Sequence, residues 1–130
     1  MLVRKPQQVE PQPMTMDGAA GVSMRLMVGR EHAAPNLAMR LFEVAPGGHT
    51  PLHQHNYEHE VLILEGQGHV SGPGSNGSTV NRPVAPGDAV FIAPNELHQF
   101  NNTSNQTLKF VCLVPTTHDC PSGSVATPGS

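Results

Sequence analysis

Eight histidines in a chain of 130 residues, four of them within eleven positions, are the side chains here best suited to chemistry. His53, His55 and His59 read H-x-H-x3-H, and His98 stands apart in a segment bounded by turns. In an extended chain residues i and i+2 share a face, so His53 and His55 point the same way. His59 opens the next segment after a short turn and can face the same interior. Neutral imidazole is a ligand for manganese, iron, nickel, copper and zinc. Three such ligands from one hairpin-like unit, with His98 from a distant strand, would enclose one divalent transition metal and leave adjacent coordination positions open. The plainer alternative is a set of unrelated surface histidines, and the spacing beside Pro46-Gly47-Gly48 argues against it.

Positioning these groups requires short strands and tight turns. Thirteen Gly and thirteen Pro without low complexity suggest an all-β sandwich or barrel. Strands are expected over residues 22–28, 37–45, 59–65, 89–93, 98–101 and 107–114, with 50–55 short and extended. Residues 1–21, rich in Pro, Gln and Met without a period, read as a loose N-terminal arm with room for one edge strand. The strand over 37–45 should close at Pro46-Gly47-Gly48, and Gly66 and Gly68 should mark a turn or bulge. Residues 71–79 read as a hairpin tip and 116–130 as a polar tail with no core to join. The barrel domain is thus expected over 22–115.

Composition removes several function classes. The formal charge is −3, and no basic run offers a nucleic-acid footprint. No apolar stretch approaches the roughly 18 residues of a membrane span. The first residues lack the apolar region of a secretory signal, so the expected location is cytoplasmic. Cys112 and Cys120 are too few for a disulfide framework and are expected as thiols.

The spacing carries a family resemblance. Gly47-x5-His53-x-His55-x3-His59-x6-Gly66 resembles the first cupin motif, with His59 where that family normally has Glu. Gly87-x5-Ala93-x-Asn95-x2-His98-x3-Asn102 resembles the second, with Ala93 and Asn95 in place of Pro and Gly. Asn tolerates a left-handed turn, and Pro94 adds rigidity one place later. Glu60 competes with His59 as the fourth ligand. Six residues separate His59 from Gly66, as the motif requires, whereas five separate Glu60 from it, and alternation puts Glu60 on the opposite face. The longer stretches APNLAMRLFEVAPGG, HxHNYEHEVLILEG and PNELHQF are similar to the small four-histidine, manganese-binding single-domain cupins. That resemblance implies a jelly-roll β-barrel (double-stranded β-helix), a Mn2+ centre of four imidazoles with two adjacent open sites, and a homodimer. It also implies a capacity for oxidative cleavage of activated alkenes with peroxides. Fe2+, Cu2+, Ni2+ and Zn2+ remain alternative occupants.

Further side chains have two readings each. Arg40 shares a strand face with Ala38, Phe42 and Val44. It either points into the barrel and binds a carboxylate or lies at an edge or interface. Cys112 shares a face with Phe110 and Val114, and either lines the pocket near the metal or packs as a small hydrophobe. Tyr57, between ligands, either donates a proton to bound oxygen or sits on the surface. Arg40, Tyr57 and Cys112 are therefore the candidate catalytic groups, and Phe100 and Phe110 the candidate substrate-pocket walls. His49 is expected before the metal-binding segment. His32, His69 and His118 have no ligand spacing and are expected to face solvent, as is Cys120.

Four neutral imidazoles leave a divalent site at about +2, where three His and one Glu leave about +1. That favours anionic or peroxidic ligands, and an oxygenase or related oxidoreductase using O2 or peroxide on a small organic substrate. The alternatives are a metal-assisted isomerase, lyase or cyclase, which needs a positioned acid or base, and a non-catalytic metal- or small-ligand-binding protein. The segment over 22–28 could pair with a partner's sheet.

Overall fold

The computed structural model describes residues 1–118; Cys120 and most of the expected tail lie outside them. The chain forms nine strands, the longest of them from alternating apolar and polar residues: β1 (Gln12–Pro13), β2 (Ala20–Val28), β3 (Leu37–His49), β4 (His59–Glu65), β5 (Gly68–Pro73), β6 (Thr79–Val84), β7 (Ala89–Ile92), β8 (Gln99–Asn101) and β9 (Leu108–Pro115). They form one antiparallel sheet in the order β6-β5-β8-β3-β9-β4-β7, with β2 against β3 and β1 against β2. The architecture is all-β, as expected. Among the described residues no helix is long and apolar enough to cross a membrane.

Each long strand buries one face. On β3 that face carries Ala38, Arg40, Phe42 and Val44; on β9 it carries Leu108, Phe110, Cys112 and Val114; on β4 it carries His59, Val61 and Ile63. The register sets these in rows: Arg40 opposes Cys112, which opposes Val61, and Phe42 opposes Phe110, which opposes Ile63. β8 meets β3 at a single pair, His49 with Asn101, and there the sheet curls over. Phe100 of β8 consequently stacks on Phe110 at 4.7 Å, and Phe110 on Phe42 at 5.3 Å. Three stacked rings therefore form the middle of the core, an offset arrangement that adds to their burial.

Several elements differ from the sequence expectation. β3 does not close at Pro46-Gly47-Gly48 but runs to His49. Val22 opposes Val44 while Ala20 opposes His49, so residues 45–48 bulge out of a continuing strand. Gly47 adopts φ +80° within the bulge. β6 has no sequence signal because only Val84 of its six residues is buried. It sits at the end of the strand order, where Pro83 costs no interior ladder bond. The hairpin between β5 and β6 is therefore tighter than expected, with its turn over 74–78. The arm is partly built in: Val9 is buried, Met14 packs on the core, and β1 pairs with β2. At the other end Thr116 is buried and its hydroxyl donates to Pro35 O at 3.3 Å, so the expected tail begins by joining the core.

Candidate metal centre and cavity

Backbone pairing brings the distant histidines together. His53 and His98 form an isolated antiparallel bridge: His53 N donates to His98 O at 3.1 Å and His98 N to His53 O at 2.9 Å. The turn before His98 is held by Glu96, whose carboxylate accepts from Ala93 N at 2.9 Å. Asn95 takes the left-handed conformation there, φ +65°, as its side-chain chemistry allows, and its N–H donates to His55 O. A single short turn thus fixes the backbone of both His55 and His98.

The side chains converge. One ligand nitrogen each from His53, His55 and His98 lie within 4.8 Å of one another. The ring of His59 lies 5.2 Å from that of His55 and 5.3 Å from that of His98. His98 Nδ1–H donates to Glu96 O at 2.8 Å, which leaves its Nε2 as the lone-pair nitrogen. His59 Nδ1 lies 3.1 Å from the Cys112 sulfur, and its buried Nε2 has no hydrogen-bond partner. Three convergent imidazoles beside a fourth with an unsatisfied nitrogen fit a divalent transition metal by donor type and closeness. Glu60 is exposed on the other face of β4, hydrogen-bonded to Glu58. His49 is outside the cluster, near Thr50 O and the Gln99 amide.

The electrostatics keep the rings of His53, His59 and His98 neutral. Burial first, then His55, His98 and Arg40, lowers the pKa of His53 to about 3. Burial, followed by Arg40 and the other three rings, takes His59 to about 2. His98 is also lowered by burial, with its bond to Glu96 O acting against the shift. Neutral rings are the metal-binding form, so protons compete weakly for this site.

The cluster opens into a cavity of about 350 Å3 that Arg40, Tyr57, Cys112, Phe100 and Phe110 all help to line. Arg40 therefore points inward rather than lying at an edge, and its Nη2 lies 3.5 Å from the Cys112 sulfur. Tyr57 stacks on His55 at 4.8 Å and is partly buried rather than a surface aromatic. Burial raises the Tyr57 phenol and, against the pull of Arg40, the Cys112 thiol, so both keep their protons at neutral pH. Phe100 and Phe110 both pack in the core and wall the cavity.

Sequence reasoning missed other contributors. Met14, Met16 and Asp17 of the arm and Thr50 reach the same cavity. The arm has no period to announce this, and Thr50 is recognisable only once its hydroxyl is seen accepting from Phe100 N at 2.9 Å. His118 keeps contact with solvent but is partly covered: its ring lies 3.8 Å from that of Tyr57. His32 is also partly buried, accepting from Gly29 N at 3.0 Å and contacting Arg4, because the 3-10 turn Arg30–His32 folds back under the arm. His69 is half-buried on the outside of β5, near Thr103.

A family model described as a cupin domain matches residues 40–114. An oxalate-binding protein of Thermotoga maritima is 31% identical over 118 residues, covering 88% of this chain and 93% of that one. The 1-methylthio-D-xylulose 5-phosphate methylsulfurylase of Rhodospirillum rubrum is 41% identical over 83 residues. That match takes in 64% of this chain but 50% of the methylsulfurylase, so the chain spans about half its length. Among solved structures, the polyketide cyclase RemF from Streptomyces resistomycificus superposes with a TM-score of 0.80 at 32% identity, over 89% of this chain and 80% of that one.

Proposed function

This chain belongs to the cupin domain family, and on that premise we propose that it is a metal-dependent enzyme that rearranges a small organic molecule by proton transfer, as an isomerase, lyase or cyclase does. The observation that carries this reading is geometric: two proton-bearing side chains, Tyr57 stacked on His55 and Cys112 beside His59, line one cavity with the histidine cluster. His53, His55, His98 and His59 would hold one divalent transition metal, Mn2+ by the family resemblance, with Fe2+, Cu2+, Ni2+ and Zn2+ as alternatives. When bound, that ion would supply Lewis acidity at the end of the cavity.

The chain's own residues supply the rest. The Tyr57 phenol holds a proton at Oη, available to an oxygen that gains charge during reaction, and the Asp17 carboxylate on the same cavity would take the proton that leaves the substrate carbon. Its ring is clamped between His55 and His118, which fixes where that proton is presented. Cys112 holds the Nδ1 side of His59 and so directs Nε2 toward the other rings. Phe42, Phe100 and Phe110 keep water from the inner wall. The similar solved structure named as a polyketide cyclase supports chemistry of this kind.

The oxidoreductase expected from the all-histidine donor set is the second reading, favoured by that set and by the apolar walls. The two separate in one experiment. Metal-loaded protein is offered a panel of small enolisable carbonyl compounds in 2H2O, with O2 uptake and product mass followed together. Proton transfer predicts deuterium incorporation without O2 uptake, lost in the metal-stripped protein and strongly reduced in Tyr57→Phe. O2 uptake with an oxygenated product would instead establish the second reading.

A further inference from the structure

Arg40 is 7% exposed, yet it takes part in none of the ion pairs among the described residues. Those join Arg25 and Lys109 to Glu43, Lys109 to Glu65, and His32 to Glu31. Its buried Nε has no hydrogen-bond partner. Its Nη2 reaches the sulfur of Cys112, a weak acceptor. The guanidinium carbon lies 5.0 Å from the centre of the Phe42 ring. A cation–π contact and a thiol offset only part of the cost of taking a guanidinium out of water. The charge is permanent, and it reaches His53, Tyr57, His59 and Cys112 strongly enough to act on each. It belongs to the cavity.

We infer that the cavity takes a small organic monocarboxylate, with the carboxylate on Arg40 and the apolar body against Phe100, Phe110, Met14 and Met16. A guanidinium presents a planar fork of donors that matches a carboxylate. Arg40 is the one permanent cation among the lining residues, and Asp17, exposed, lines the same cavity. One guanidinium pairs with one carboxylate, and the apolar side chains on the remaining wall suit an uncharged body. A neutral ligand of the same shape would cover the guanidinium without pairing it. The volume, about 350 Å3, is near the lower end of the roughly 300–1,000 Å3 of small-molecule sites and suits a body the size of one ring. This inference names the substrate class for the proposed function and rests on that cavity being the ligand site, but it does not require the metal.

The test uses benzoate and phenylacetate with their amides as neutral counterparts. Each is titrated into 15N-labelled protein, metal-free and zinc-loaded, with metal content measured on the same samples. The Arg40 Nε–H resonance is assigned through Arg40→Lys. We expect an acid to shift that resonance and to bind about ten- to a hundredfold more tightly than its amide, a preference that Arg40→Met removes. If Arg40→Met fails to fold, the shift of the wild-type Nε–H signal decides. Acids that do not bind, or bind no better than amides, overturn the inference, as does a preference that survives in Arg40→Met. An acid preference in protein that takes up no metal would uphold this inference and sink the metal-dependent enzyme. Full metal uptake with no acid preference would do the reverse.

Discussion

Lowering the pH of the metal-free protein should unfold it, and the histidine ring dictates how steeply. In the unfolded chain His53 and His59 titrate near 6.5; in the fold they titrate at about 3 and about 2. Between those values the unfolded chain carries a proton on each ring and the folded chain does not. Unfolding therefore takes up protons, and stability falls as pH falls from about 6.5. Each ring contributes at most about 1.4 kcal/mol per pH unit. His53 keeps some solvent contact, so its share is the smaller. Together the slope should reach about 2–2.7 kcal/mol per unit from about pH 5.5 downward. Two pH units of this slope remove a large part of the roughly 5–15 kcal/mol that holds a domain together. Urea melts in EDTA at about pH 7.5, 6.5, 5.5 and 4.5 measure it directly. His59→Phe keeps an aromatic ring without a titrating group, and should flatten the slope by about 1 kcal/mol per unit. Stability unchanged from about pH 6.5 to 4.5, or an identical slope in His59→Phe, would falsify the account of these rings as buried neutral bases.

Four further outcomes follow from the geometry. His98→Ala should abolish stoichiometric metal uptake, and His59→Ala should weaken it without removing the three-ring cluster; metal analysis after dialysis reads both. Cys112→Val removes the contact to His59 Nδ1 and should cost roughly ten- to a hundredfold in metal affinity, while Cys112→Ser should recover most of it. Phe110→Ala empties the middle of the three-ring stack and should destabilise the protein by about 3–5 kcal/mol in a chemical melt. At Gly66, φ +80°, an added Cβ would strike the Thr107 carbonyl, so Gly66→Val should unfold more easily than Asn95→Gly, which keeps a left-handed turn.

Legibility in the sequence follows the physics of each segment. β3, β4 and β9 are half-buried, so their alternation was readable, and with it the shared face of Phe110 and Cys112 and the opposite faces of His59 and Glu60. His53, His55 and His98 were readable because their spacing has few other uses. The direction of Arg40 was not, since alternation names a face without saying which face is inside for a charged residue. β6 was missed because an edge strand exposed on both faces has no period. The continuation of β3 beyond Gly48 was missed because a bulge and a turn use the same Pro-Gly-Gly chemistry. The contacts of Val9, Met14 and Thr116 are single anchors in aperiodic segments, and a single anchor leaves no pattern.

Met14 and Met16 reach the cavity from the N-terminal arm, which is tied to the barrel by two register pairs, the bond from Met14 N to Val22 O and the buried, hydrogen-bonded Val9. The histidines and Arg40 sit on the bridged turns and on two strands of the sheet, β4 and β3. The imidazoles and part of the cavity wall are thus carried on separate pieces of chain. A change in the arm can reshape what fits without moving any imidazole, so descendants of this fold could diverge in ligand while keeping one centre. Exchanging residues 10–19 between two such proteins is the corresponding route for redesign.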